Sequence, residues 1–152
     1  LKNVAAMLSN MLFLVQKDYC KRKEFYMNTF RVRIDQLQPS QPYLSKARLE
    51  NILRNTAFLL YPVAVRELNG RLCAIDGHER LMALHSLGRT EVEVYLDDSE
   101  RDGKIWQKCV EICMSEGISS ILDLENRFVT PSGFRQLWIE KKRQLAKEAR
   151  NS

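Results

Sequence analysis

The residues of this chain with the clearest chemical potential lie together at positions 76–80, in the order Asp-Gly-His-Glu-Arg. An apolar run at 72–75 precedes them, and an amphipathic run follows at once. This order predicts a strand that turns directly into a helix. The first N–H groups of such a helix have no partner within it and attract anions. The corner between the two elements is therefore a place where phosphate or carboxylate is readily bound.

Each residue type at this corner suits anion binding or phosphoryl transfer. Gly77 lets a ligand approach the backbone closely, and Arg80 offers a fork of donors to phosphate or carboxylate. His78 is a further donor or an acid–base group. Asp76 does not suit a simple anion pocket, because a carboxylate beside phosphate either holds Mg²⁺ or accepts a proton from a nucleophile. The corner therefore predicts a nucleotide site.

A structural interpretation of the same residues stays equally open. Asp76 would then cap the helix, Glu79 would favour its dipole, and Arg80 would pair with Glu79 or Glu91. The spacing matches neither the Walker A pattern nor GxGxxG.

Strands on both sides of the corner follow from the hydrophobic pattern. Residues 30–37 and 91–96 alternate between apolar and polar side chains, which is strand periodicity. Two apolar, β-branched runs flank Asn69-Gly70, which predicts a β-hairpin.

Helices are predicted near residues 45–55, with Ser45 as N-cap, and from about Glu79 to Gly88. Residues 104–117 continue as a helix, and a last helix begins at Thr130-Pro131. That last helix is predicted to place four apolar side chains on one side: Phe134, Leu137, Trp138 and Leu145. The whole pattern predicts an α+β domain with helical segments at both ends.

The first segment repeats apolar residues with helical spacing and predicts an amphipathic helix over residues 3–26. We therefore divide the chain into an N-terminal helix (1–27), a core (28–98) and a C-terminal helical segment packed on the core (99–152). The composition, 45% hydrophobic and 28% charged with a net charge of +5, is that of an ordinary globular domain. It tolerates an anionic partner without requiring one.

The four cysteines form no Cys-x-x-Cys pair, and Cys109 and Cys113 are spaced to share a helix face. Buried free thiols and a reducing, cytoplasmic location are therefore expected. With two histidines in the chain, a zinc site is not expected. No stretch is long and apolar enough to predict a membrane span.

Residues 75–96, IDGHERLMALHSLGRTEVEVYL, resemble the ParB/sulfiredoxin-like domain, in which a Gly-x-x-Arg motif lies at a strand-to-helix corner. Residues 30–52 resemble the opening strand, loop and helix of that family. The resemblance covers residues 29–96 and implies a small mixed sheet with helices.

The motif separates the branches of that family. Sulfiredoxins carry a catalytic cysteine where this chain has His78, so their chemistry is not expected here. Partition-type ParB domains favour Gly-Glu-Arg-Arg. The Asp-Gly-His-x-Arg pattern at 76–80 is similar to that of nucleotide-dependent free serine kinases, which use ADP or ATP. Residues 105–141 resemble the segment that follows the core in those kinases.

The resemblance implies roles for individual residues. Asp76, His78 and Gln41 would be the catalytic residues at the reaction centre. Asp76 would also hold Mg²⁺. Trp106 would lie near the amino-acid substrate. Phosphate or nucleotide would be bound by Gly77, His78, Glu79, Arg80 and Ser40.

Two of the implied roles have alternatives. Gln41 stands where such kinases carry a glutamate base, and an amide cannot accept a hydroxyl proton as a carboxylate does. Either the alignment is shifted, or Asp76 serves alone, or the chain binds nucleotide without efficient transfer. Tyr43 would stack on a base or cover the edge of the core. Packing into the core is also an alternative role for Trp106.

The favoured hypothesis is a Mg²⁺-dependent kinase that phosphorylates free serine or a similar hydroxylated amino acid. A second is a nucleotide-responsive DNA-binding module of the partition type, with residues 115–137 as a helix-turn-helix. A third is a catalytically degenerate binding domain. The first helix would then serve as a docking surface, and it would also permit a homodimer.

Overall fold

The computed structural model describes residues 28–99 and 103–151. The strands are β1 (Thr29–Arg33), β2 (Gln38–Pro39), β3 (Leu44–Ser45), β4 (Val63–Leu68), β5 (Arg71–Ala74), β6 (Glu91–Leu96) and β7 (Phe128–Val129). The α-helices are α1 (Lys46–Arg54), α2 (His78–Ser86), α3 (Gly103–Ser115), α4 (Pro131–Phe134) and α5 (Glu140–Arg150). The helix predicted over residues 3–26 and its proposed docking role lie outside the described residues.

A mixed sheet of five strands, in the order β1-β6-β4-β5-β2, forms the centre of the fold. β6 pairs antiparallel with β1 and parallel with β4, while β5 pairs antiparallel with β4 and parallel with β2. β3 and β7 form a separate parallel pair. The predicted α+β class with a small mixed sheet is confirmed.

The predicted hairpin is present between β4 and β5. Asn69 and Gly70 both have positive φ, at 54° and 73°. A two-residue turn of this kind has the twist that neighbouring strands need, which explains why Asn-Gly is placed here.

The predicted helix ends are also present. The Ser45 side chain accepts a hydrogen bond from the Arg48 N–H at the start of α1, and Thr130 does the same for Gly133 at the start of α4. Gly88 adopts a left-handed conformation after α2, with φ of 85°. Local capping chemistry thus sets where these helices begin and end.

The main core lies between the sheet and its helices. It combines sheet residues such as Val63, Val65 and Val94 with helix residues such as Leu81. A second cluster, here called the aromatic cluster, is built around buried Cys109, Phe134 and Trp138, with Tyr43, Trp106 and Leu145 packed against it. The expected burial of free thiols is confirmed for three cysteines, Cys73, Cys109 and Cys113.

Two local predictions for the C-terminal segment are wrong. Leu137 is 45% exposed instead of packing beside Trp138. A π-helical turn, Arg135–Ile139, joins α4 to α5 and holds more residues per turn than an α-helix, so the α-helical spacing does not apply across it. Residues 115–137 form no helix-turn-helix, because a short 3-10 turn and strand β7 separate α3 from α4. None of the helices in the described ranges has the length and apolar character that crossing a bilayer requires.

Candidate functional site

The corner after β5 is formed by Asp76 and Gly77. Gly77 is the N-cap of α2 in a left-handed conformation, with φ of 74°, and no side chain caps the helix there. The Gly77 N–H donates to Oδ1 of Asp76 at 2.8 Å, and the Asp76 side chain is 78% exposed. An accessible carboxylate therefore lies directly beside the open N-terminus of a helix.

Arg80 lies across this corner. Its Nη1 donates to the carbonyl of Tyr61 at 3.1 Å, and its Nη2 lies 3.8 Å from Oδ2 of Asp76. The guanidinium lies so close to Gly77 that a Cβ on that residue would be 2.9 Å from Nη2. Arg80 therefore pairs with Asp76, and not with Glu79 or Glu91. At this distance from an exposed carboxylate, the pair contributes little to stability.

His78 points into the protein and is 1% exposed. Its Nε2 accepts a hydrogen bond from the backbone N–H of Ser40 at 3.1 Å. Burial lowers the pKa of His78 to about 4, Asp76 raises it, and Lys142 lowers it further. His78 is therefore a neutral imidazole at pH 7 that holds the loop at residue 40 against α2.

Glu79 is also buried, at 5% exposure, and it holds the same loop. Its Oε1 accepts from the Ser45 N–H and from Nε2 of Gln41, both at 3.2 Å. Nε2 of Gln41 also donates to the carbonyl of Tyr43 at 2.8 Å. The amide nitrogen of Gln41 is thus used to order residues 41–45.

Ser40 completes this framework. Its Oγ donates to the carbonyl of Ala74, the last residue of β5, at 2.7 Å. The structure therefore brings the predicted residues together in two layers. Ser40, Gln41, His78 and Glu79 form an inner layer of mutual hydrogen bonds. The outer layer is Asp76, Gly77 and Arg80.

The predicted substrate residues lie in the aromatic cluster, next to the inner layer. Tyr43 is connected to it through Gln41, and its ring lies 4.5 Å from the guanidinium carbon of Arg127. Nζ of Lys142 lies 4.2 Å from the centre of the Trp106 ring. The Tyr43 ring therefore packs against the Arg127 guanidinium. The Trp106 ring, on α3, packs against the ammonium of Lys142 on α5.

Sequence reasoning missed the contributions of Tyr61, Ser45 and Lys142. Tyr61 and Ser45 act through backbone atoms, which carry no signal in the side-chain pattern. Lys142 belongs to a basic run at 141–143 that is typical of a solvated helix face. Only the fold shows which lysine of that run lies over Trp106.

At the corner, the exposed carboxylate that a metal ion could reach is that of Asp76. In the described parts of the chain, no group of three His, Cys, Asp or Glu side chains is arranged to hold a metal ion. Mg²⁺ is commonly bound by one or two carboxylates together with nucleotide phosphates. The exposed Asp76 carboxylate fits an ion that arrives with a nucleotide, and it does not fit a permanent protein-bound metal.

A surface groove of about 450 Å³ lies beside the outer layer but contains none of the predicted site residues. It includes Tyr61, whose carbonyl binds Arg80, and Leu84, one helical turn after Arg80. Its lining carries both signs of charge, from Arg31 and Arg89 and from Glu91 and Glu93. Mixed charges of this kind select no ligand class, so we place the candidate site at the corner.

No family model matches the sequence, and the comparison with curated proteins finds no match. Among solved structures, protein Atu1540 from Agrobacterium tumefaciens is similar with a TM-score of 0.45 and 18% identity, over 64% of this chain and 61% of its own. A free serine kinase in complex with AMP is similar with a TM-score of 0.42 and 22% identity, over 49% and 33%. These are distant similarities of fold, and the present chain spans only one third of the kinase's length.

Proposed function

We propose that this protein binds a nucleoside diphosphate or triphosphate at the corner and transfers a phosphoryl group to free serine or a similar hydroxylated amino acid. The observation that carries the proposal is the exposed Asp76 carboxylate beside the uncapped N-terminus of α2. Helix N-termini favour negative ligands, but the negative charge of a carboxylate at this position would repel them. Binding Mg²⁺ or accepting a proton would give the carboxylate a role beside a bound phosphate.

The outer layer supplies the contacts to phosphate in this proposal. The first N–H groups of α2 point toward the ligand, and Arg80 adds charged donors. Arg80 donates to the Tyr61 carbonyl and lies 3.8 Å from Asp76, so a phosphate would replace a neutral acceptor with a charged one. Mg²⁺, carried with the nucleotide, would contact Asp76 and neutralise the phosphate charge.

The inner layer positions the corner and does not touch the nucleotide. Nε2 of His78 and Oε1 of Glu79 accept hydrogen bonds from the loop at 40–45, and both side chains are buried. Gln41 offers no carboxylate, and the carboxylate nearest to it belongs to buried Glu79. Asp76 is therefore the group proposed to accept the proton of the acceptor hydroxyl. The sequence resemblance of residues 76–80 and 105–141 to free serine kinases supports the choice of acceptor.

The test is transfer of phosphate from ADP or ATP to L-serine in the presence of Mg²⁺, measured by the appearance of phosphoserine. We expect Asp76→Asn to reduce the rate about 100-fold or more, since general-base catalysis commonly contributes about 10²–10⁴-fold. Asp98→Asn, at another exposed aspartate outside the corner, is the matched control and should leave the rate unchanged.

Measuring nucleotide affinity distinguishes nucleotide binding from phosphoryl transfer. We expect calorimetry to show ADP or ATP binding that Arg80→Ala weakens about 10-fold or more, because a charged hydrogen bond is lost. Binding without phosphoserine would leave a nucleotide-binding domain and reject the kinase. No binding of either nucleotide would reject the site itself. The alternative of a partition-type DNA-binding module is weakened, because residues 115–137 do not form the helix-turn-helix that would bind DNA.

A further inference from the structure

The surface groove beside the outer layer carries exposed apolar side chains. Leu60 and Tyr61 line it, and Leu60 is 41% exposed. The ring of exposed Phe58 has its centre 6.3 Å from that of Tyr61. Leu87 is also exposed and directly precedes Gly88, another residue of the lining. Apolar side chains that gather at one concave surface are typical of a site that another polypeptide covers.

The charged residues of the groove favour a polypeptide over a small ion. Arg31 of β1 and Glu93 of β6 are register partners in the sheet, and Arg89 and Glu91 add one charge of each sign. Because the positive and negative charges balance, the groove attracts neither anions nor cations as a class. A segment with an apolar stripe and charges of both signs matches the whole lining.

The chain carries a segment of this composition directly before β1. Residues 4–15 contain ten apolar residues and no charged one, and residues 17–24 contain four basic and two acidic side chains. β1 begins at Thr29, two residues before Arg31, so the segment enters the domain beside the groove. Residues 16–28 span about 20 Å even at the helical rise per residue, which lets the apolar residues return along the surface to the groove.

We propose that residues 4–15 dock in this groove of the same molecule and bury their apolar side chains against Leu60 and Tyr61. A tether of this length gives the segment an effective concentration on the order of millimolar at its own groove, so it outcompetes a second copy at micromolar concentration. Tyr61 also binds Arg80 through its carbonyl, so the docked segment would contact a residue that supports the corner. Docking of this kind does not depend on the proposed kinase function.

Photo-crosslinking of the full chain tests where the segment lies. p-Benzoylphenylalanine replaces Leu60, the protein is irradiated at low micromolar concentration, and mass spectrometry maps the crosslinked peptides. We expect crosslinks within one molecule to residues 4–15. The same probe at Met114 should give none, because Met114 is exposed on α3, which packs against β2 at the opposite edge of the sheet from β1. Crosslinks between two copies, or none from position 60 to residues 4–15, would overturn the proposal.

Urea unfolding gives a second test that needs no probe in the groove. The apolar stripe of the segment is removed by four substitutions together: Met7→Ser, Leu8→Ser, Met11→Ser and Leu12→Ser. Leu60→Ser should lower the urea midpoint of wild type and have no further effect in this background, because side chains in contact are not additive. Leu137→Ser, at an exposed leucine outside the groove lining, is the matched control and should shift the midpoint equally in both backgrounds. An equal shift for Leu60→Ser in both backgrounds would mean that the segment does not contact the groove.

Discussion

The fold decides which of two possible roles the His78 side chain has. In the sequence it is a donor or acid–base group beside a glycine. In the fold it is a buried neutral acceptor whose Nε2 holds the Ser40 N–H. Two residues before it, Asp76 is exposed and lies 3.8 Å from Nη2 of Arg80. A strand-to-helix turn separates the two side chains, so that one is buried behind the corner and the other faces solvent.

The burial of His78 predicts a specific dependence of stability on pH. Its pKa is about 4 in the folded protein, against a value of 6.5 for an unperturbed histidine. The unfolded chain therefore binds the extra proton between these values, and stability falls as the pH falls from about 6.5 toward 4. We expect wild type to lose about 2 kcal/mol of unfolding free energy between pH 7 and pH 5 through this residue.

Urea unfolding of His78→Gln at both pH values provides the check. Glutamine offers an oxygen to the Ser40 N–H and does not titrate. The variant should therefore lose about 2 kcal/mol less than wild type over the same interval. Other titrating groups contribute equally to both proteins and cancel. An identical loss of unfolding free energy in wild type and His78→Gln would show that the pKa of His78 is not lowered in the folded protein.

At the scale of elements, the corner depends on a glycine in a conformation that costs other residues about 1–2 kcal/mol. Gly77 and Gly88 lie before and after α2 with φ of 74° and 85°. They differ in surroundings, since a Cβ on Gly77 would meet Arg80 at 2.9 Å, whereas one on Gly88 would have nothing within 4 Å. The two glycines therefore form a matched pair.

Gly77→Ala should cost more than Gly88→Ala. Both substitutions carry the backbone strain of about 1–2 kcal/mol, and Gly77→Ala also displaces the Arg80 side chain from the Tyr61 carbonyl, which adds about 1–2 kcal/mol. Urea unfolding measures both variants. In an Arg80→Ala background the two costs should become equal. A difference that persists without Arg80 would show that the extra cost comes from another contact at the corner.

The sequence predicts elements well where the signal is local. Alternation gave β1 and β6, Asn-Gly gave the hairpin, and capping residues gave the ends of α1 and α2. The two-residue strands β2, β3 and β7 have no periodicity, because pairing with distant strands defines them. The residues of the inner layer were predicted as site residues, but their hydrogen bonds to one another were not, for the same reason. His78 and Glu79 find their partners 38 and 34 residues away along the chain, at Ser40 and Ser45.

For the whole molecule, the described C-terminal residues belong to the same structure as the sheet domain. β7 pairs with β3 in a parallel bridge, and Cys113, Ile118 and Ile121 lie in the main core. A boundary near residue 98 stays a prediction about chain organisation, but these contacts cross it.

Because core contacts cross the boundary, we expect the C-terminal helices and the sheet to unfold in one transition. Trp138 is 2% exposed in the aromatic cluster, and Trp138→Ala should cost about 3–5 kcal/mol through lost packing. Leu137→Ala, at a 45% exposed neighbour, should cost less than about 1 kcal/mol. Far-UV circular dichroism, which reports the helices and the sheet together, and tryptophan fluorescence, which reports the C-terminal segment, should give one midpoint in urea for each variant. Two separate midpoints in Trp138→Ala would show that residues 103–151 unfold independently of the sheet, and the site would then be formed between two separable units.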